Sequence, residues 1–207
     1  MPAGKLVVFE GIEGSGKSTQ AKLFHEELLR RGEKSILTAE PTQHATGKLI
    51  RELLKSESKV DIRTLQLLFV ANRSEHVETF IKPKLEEGYT VVSDRYSPST
   101  IAYGAAFGRE LGLRVSYLID VHAPFVPPDL ILLIGVTPKR AMERIRARKG
   151  QWERFDDVAS LKALEASYVK VAKGYYPSRW RVIDGNGSVD EVKSDVVKAW
   201  KEFEKGR

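Results

Sequence analysis

Leu6-Val7-Val8-Phe9-Glu10-Gly11-Ile12-Glu13-Gly14-Ser15-Gly16-Lys17-Ser18-Thr19 decides the fold of this chain. Four apolar residues in succession suit a short strand buried on both faces. From Gly11 to Ser18 the spacing is G-x-x-x-x-G-K-S, a phosphate-binding loop between a strand and a helix. Gly11, Gly14 and Gly16 let the backbone curl with its N–H groups inward, along a path that a Cβ would obstruct. A helix starting near Lys17 adds the positive end of its dipole, so a polyphosphate is held. Lys17 is placed to reach the β- and γ-phosphates of a nucleoside triphosphate, and the Ser18 hydroxyl to ligate Mg²⁺.

Working outward, apolar runs alternate with helical patterns almost to the end, which predicts an α/β fold of three layers with a five-stranded parallel sheet. Strands are expected at 6–10, 35–39, 90–94, 130–135 and 181–184. Helices are expected at 17–31, 47–55, 62–86, 99–107, 110–119, 138–147, 158–175 and 189–204, with Pro83 bending or restarting the third. No repeat or linker divides the chain, so residues 1–207 read as a single domain. Ligands of such sheets sit at the carboxyl ends of the strands. Residues 10–18, 40–41, 94–95 and 184–187 all fall there, which predicts one shared crevice.

Composition narrows the chemistry. The absence of cysteine excludes disulfides, thiolate catalysis and cysteine-ligated metal. No apolar run is long enough to cross a bilayer and the amino terminus has no signal-peptide core, so a cytoplasmic location is expected. Few Asn and Gln beside abundant charge lean toward a thermophilic source. A net charge of +6 suits anionic substrates. Nucleic acid is not an expected partner, because the cations interleave with acids except in the stretch 140–154. The lack of an N-K-x-D run argues against a GTPase.

Two further features point to phosphoryl transfer. Tyr89-Thr90-Val91-Val92-Ser93-Asp94-Arg95 is a buried strand that delivers a carboxylate beside the loop, where Asp94 can hold Mg²⁺. Arg95 follows it directly and can fork onto a second, acceptor phosphate. Then Arg148-Lys149-Gly150-Gln151-Trp152-Glu153-Arg154-Phe155 breaks a helical pattern with cations and a glycine, as a lid over 146–156 would. Such a lid brings charge to the transferring phosphoryl group only after the substrates bind.

With these residues in view, the chain resembles the thymidylate kinase family along nearly its whole length. The resemblance is carried by the loop, Glu40-Pro41, Leu68-Phe69-Val70-Ala71-Asn72-Arg73, Asp94-Arg95-Tyr96 with Ser99, Ala102-Tyr103, Pro128-Asp129-Leu130, Arg154-Phe155-Asp156 and Val182-Ile183-Asp184. It implies ATP- and Mg²⁺-dependent phosphorylation of dTMP to dTDP, usually by a homodimer. On the ATP side it implies Gly11, Glu13, Gly14, Ser15, Gly16, Lys17, Ser18 and Thr19. Arg144 resembles the arginine that packs on adenine, with Asn186 and Gly187 across from it. On the dTMP side Phe69 resembles the residue that stacks on thymine, and Arg73 suits its O4 carbonyl. Thr100 falls opposite N3–H, and Tyr103 matches an aromatic that crowds the sugar C2′. Glu13 resembles an acid that meets the 3′-hydroxyl, and Arg95 grips the acceptor phosphate, with Glu40 and Ser99 in the same crevice. Glu10 suits either that crevice or a structural place.

Lys17, Arg95, Arg148 and Arg154 are the implied catalytic cations, and Ser18 with Asp94 the metal ligands. The loop carries Glu13 and no arginine, so the resemblance is to members whose lid supplies the catalytic guanidinium. Ala39, Thr42, Gly104 and Trp152 depart from the family pattern. The rival readings are a broad-specificity nucleoside monophosphate kinase, a deoxynucleoside kinase and, from another class, a nucleotide-gated DNA-associated ATPase.

Overall fold

A computed structural model describes residues 4–55, 60–148 and 154–206. Five strands, β1 (Lys5–Glu10), β2 (Ser35–Ala39), β3 (Thr90–Asp94), β4 (Leu130–Gly135) and β5 (Trp180–Asp184), form one sheet in the order β2-β3-β1-β4-β5. Every pairing is parallel, as the apolar runs predict. Parallel neighbours require crossovers, supplied here by α1 (Lys17–Arg30), α2 (Ala45–Lys55), α3 (Ile62–His76), α4 (Lys82–Glu86), α5 (Ser97–Phe107), α6 (Val115–Asp120), α7 (Pro138–Ala147) and α8 (Val158–Gly174), and α9 (Val189–Lys205) follows the last strand.

The period-two alternation of β1 divides the core between the sheet's faces. Val7 and Phe9 pack with Phe24 and Leu28 of α1 and with Val196 and Trp200 of α9. Leu6 and Val8 point the other way, into a cluster with Ile101 of α5 and Leu161 and Leu164 of α8. Burying each such side chain stabilises the fold by about 1.5–3 kcal/mol, so the central strand is held firmly from both sides.

Two expectations need correction. The single helix over 62–86 is three segments: α3, a π-helical turn at Val77–Ile81, and α4. Pro83 has no N–H to donate, and the wider turn before it, in which Lys82 N–H reaches Val77 O, places Pro83 in the first turn of α4. There its missing donor is harmless. The helix expected at 110–119 is also split, into a 3₁₀ turn at Arg109–Leu111 and α6. Gly112, at φ 79°, ends the first piece in a left-handed conformation.

Register positions the site. Asp94 pairs with Phe9 on one side and with Ala39 on the other. The tips of β1, β2 and β3 are therefore level, and Gly11, Glu40 and Arg95 leave the sheet from adjacent strand ends. Among the described residues no helix is long and apolar enough to cross a membrane.

Candidate active site

The phosphate loop has the backbone its glycines predict. Gly14 and Gly16 sit at φ 75° and 96°, and a Cβ on Gly14 would lie 2.4 Å from the Ala141 carbonyl oxygen. Ser18 and Thr19 are exposed in the first turn of α1, while Lys17 is buried, its Nζ 3.2 Å from Glu13 Oε2. Arg144 of α7 clamps the loop, donating to Ser15 O at 3.1 Å and to Gly185 O at 2.9 Å. It thereby joins the loop to the β5 turn that carries Asn186 and Gly187.

Glu13 is the hub of the phosphate side. Its carboxylate accepts from Lys17 Nζ, from Arg95 Nη2 at 2.7 Å and from Arg148 Nη1 at 2.9 Å. The Lys17 charge, then Arg95 and the Arg148 hydrogen bond, overcome burial and hold this carboxyl well below the usual carboxylate range. Arg95 also donates to Ser99 Oγ at 3.1 Å and lies over the Tyr103 ring. Its φ of 71° is unusual for a residue with a Cβ. The two lid cations differ. Arg148 meets Glu13 and lies 3.6 Å from Asp156. Arg154 donates to Val60 O at 2.6 Å and covers the Phe155 ring, so it engages the chain before α3 rather than the loop. The middle of the expected lid, 149–153, with Lys149 and Trp152, lies outside the described residues.

Beside this hub is a cavity of ≈ 230 Å³. Of the predicted residues, Glu13, Lys17, Ser18, Glu40, Phe69, Arg73, Asp94, Arg95, Ser99, Thr100 and Tyr103 line it. Arg144, Arg148, Arg154, Asn186 and Gly187 stand outside that lining. Phe69 and Arg73 share a face of α3, and Thr100 and Tyr103 come from α5 across the opening. Phe155 completes the wall, stacked on Phe107 at 4.5 Å and edge-on to Tyr103.

Arg73 is held through both terminal nitrogens. It is 1% exposed, pairs through Nη2 with Glu40 and Thr100, and lies over the Tyr96 ring at 4.9 Å. Its Nη1 is 2.7 Å from His122 Nε2. Arginine only donates, so that nitrogen accepts and the His122 proton sits on Nδ1. Burial, aided by the Arg73 charge, pushes His122 down to about 2 and keeps it neutral. Glu40 is shared with His76, whose Nδ1 is 3.0 Å from Oε1.

Glu10 is structural. It accepts from Tyr96 N–H at 2.9 Å, from Tyr168 OH at 3.1 Å and from Ser99 Oγ, the same hydroxyl that receives Arg95. It does not line the cavity. Full burial pushes its carboxyl up to about 7 against these hydrogen bonds. Asp94 is different: its Oδ1 is buried with no partner. An orphaned carboxylate oxygen and the Ser18 hydroxyl, lining the same cavity, are the hard-oxygen donors that would suit Mg²⁺. Among the described residues no group of three or more His, Cys, Asp or Glu forms a metal cage, and an ion held in this way needs none.

Sequence reasoning missed Arg51, Gln66, Tyr96 and Asp156 in the cavity wall, and His76 and His122 behind it. Tyr96 and Asp156 lay inside recognised motifs, which was a usable signal. The histidines had none, because only the tertiary fold brings them to Arg73. Of the departures, Thr42 is tied to α3 by reciprocal bonds with Asn72, and Arg51 donates to the carbonyls of Pro41 and Thr42.

The chain matches the family model described as thymidylate kinase over residues 9–196. It is 40% identical over 200 residues to a probable thymidylate kinase of Thermococcus onnurineus (strain NA1), covering 92% of this chain and 94% of that protein. A probable thymidylate kinase of Pyrococcus horikoshii is 38% identical over 94% of both chains. A thymidylate kinase of Orientia tsutsugamushi (strain Ikeda) is 35% identical over 94% of this chain and 91% of its own length.

Proposed function

The chain belongs to the thymidylate kinase family and is a phosphotransferase; we propose that it passes the γ-phosphoryl group of ATP to dTMP with the following division of labour. The loop backbone and Lys17 hold the ATP polyphosphate, with Arg144, Asn186 and Gly187 toward the adenine side. Phe69 and Arg73 take the thymine ring, Tyr103 faces the sugar, and Arg95 grips the dTMP phosphate. Ser18 and Asp94 are the residues that would hold Mg²⁺, which neutralises charge on the phosphates. The acceptor oxygen is already anionic, so no strong base is required, and catalysis is positioning with charge neutralisation.

One observation carries this reading. Phe69 and Arg73 on one wall, and Asp94 and Arg95 at the tip of β3, line a single cavity that opens on Lys17 and Glu13. The carboxylates argue against a deoxynucleoside kinase, which must deprotonate a neutral hydroxyl. Glu13 rests on three cations and is a poor base, and Glu10, though its carboxyl is pushed up to about 7, lies beneath Ser99 and does not line the cavity where an acceptor hydroxyl would sit. Before phosphoryl transfer, an incoming phosphate must draw Arg95 and Arg148 from Glu13. That exchange makes Arg148 the better candidate for the catalytic lid cation, with Arg154 securing the lid base. A homodimer fits α3, where Leu67 is 56% exposed beside half-buried Leu68 and Val70. A cytoplasmic setting fits the same reading.

The deciding experiment is a coupled ADP-release assay with ATP, Mg²⁺ and a panel of dTMP, dUMP, dCMP, dGMP and thymidine. The highest kcat/KM is expected with dTMP and no turnover with thymidine. Equal rates across the monophosphates would replace this reading with a broad-specificity kinase.

A further inference from the structure

Gln66 is a polar side chain in an apolar place. It stands on α3 one turn before Phe69, is 3% exposed, lines the same cavity, and its Oε1 is buried with no hydrogen-bond partner. The room it occupies is made by Gly104 of α5. A Cβ there would lie 3.1 Å from Gln66 Oε1 and 2.6 Å from Leu118 Cδ1. Glycine inside a helix is less favourable than alanine by about 1 kcal/mol, and an unmet buried polar atom costs roughly 1–3 kcal/mol more. A leucine at position 66 would pack the same space without that unmet acceptor.

Arg73, on the same face of α3, has a second orphan, its buried Nε. One helix face thus flanks the half-buried Phe69 with an unpaired acceptor and an unpaired donor. A planar imide, with N–H beside C=O, is the ligand edge that meets such a pair. The terminal torsion of Gln is broad and two-fold, so the amide can turn either end toward a ring without changing its volume.

Building on the assignment of this cavity to dTMP, we propose that the Gln66 carboxamide hydrogen-bonds the edge of the pyrimidine and sets how deeply the ring seats on Phe69. Arg73, fixed by Glu40 and His122, gives the edge its polarity, and Gln66 adds the second point that defines the ring's position.

The test compares the wild-type enzyme with Gln66→Leu and Gln66→Met in steady-state assays with dTMP and ATP, alongside thermal melts. Both variants should raise KM for dTMP about tenfold, the loss of roughly one buried hydrogen bond, while KM for ATP and Tm hold. A KM for dTMP unchanged in both variants overturns the assignment of Gln66, and so does an equal rise for both nucleotides. If Gln66→Leu fails to fold, Gln66→Met is judged by the same criteria. A wild-type enzyme that ignores dTMP would instead bring down the reading of the cavity on which this rests.

Discussion

Two guanidiniums, Arg73 in the wall of the proposed acceptor site and Arg148 just outside its lining, are held in opposite ways. Arg73 is sealed at 1% exposure among Glu40, Thr100, His122 and Tyr96, whereas the Arg148 side chain is 45% exposed and rests on Glu13 from the end of α7. A group that reads a base must keep its geometry before and after the ligand arrives, and burial with several fixed partners achieves that. A group that follows a transferring phosphoryl must give up one anion for another, and a half-exposed ion pair is weak enough to let it. Under the proposed assignment, rigidity and exchangeability are thus distributed between Arg73 and Arg148 according to the chemistry each would serve.

Breaking the exchangeable end at its centre should have the largest effect on turnover. Lys17→Ala should lower kcat by about 10²–10³-fold, the loss expected for one preorganised charged donor, and near-normal turnover would sink the assignment. Arg73→Ala attacks the rigid end and should show first in folding. It strands the Glu40 carboxylate and should lower stability by about 3–5 kcal/mol in a denaturant titration, with KM for dTMP rising far more than KM for ATP. Equal losses for the two nucleotides would remove Arg73 from base recognition. Arg148→Ala is the counter-experiment. It breaks the half-exposed pair with Glu13, worth no more than about 1 kcal/mol, and a 3.6 Å contact with the buried Asp156, so Tm should drop less than in Arg73→Ala while kcat falls. A large drop in Tm would erase the contrast between the two ends.

The smallest effect concerns the floor beneath Arg95. The Glu10 carboxyl rises from 4.5 unfolded to about 7 folded, so the native state binds the extra proton. Its contribution is complete below about pH 4.5 and is lost as pH climbs through 7. Stability measured from pH 5 to 8 should decline in the wild-type chain and flatten in Glu10→Gln. A slope that persists in the variant would assign it to another group.

Most of this frame was legible in the sequence. The strand ends at Glu10, Asp94 and Asp184 follow from apolar runs that stop at acidic residues, with Ala39 and Gly135 ending the other two, and they fix where the crevice must be. The split of the third helix was harder to see, because Pro83 announces a break but not the π turn that accommodates it. Within the site, residues inside contiguous motifs could be found, with Glu40, Tyr96 and Thr100 among the partners of Arg73, whereas His122 reaches it only through the tertiary fold. His122 follows α6, Glu40 follows β2, and Tyr96 follows β3. No local pattern marks a residue whose role is to hold another from behind. Gln66 escaped notice for a related reason: at helical spacing it looks like one polar residue in an apolar stretch, and only its missing partner distinguishes it.

The left-handed backbone at Arg95 has an evolutionary corollary. A side chain with a Cβ is disfavoured there by roughly 1–2 kcal/mol, and glycine would relax the kink. The residue most comfortable in that bend has no charge to offer an acceptor phosphate. Under the proposed role of Arg95 at the acceptor phosphate, drift toward a sturdier fold and selection for turnover pull this single position in opposite directions.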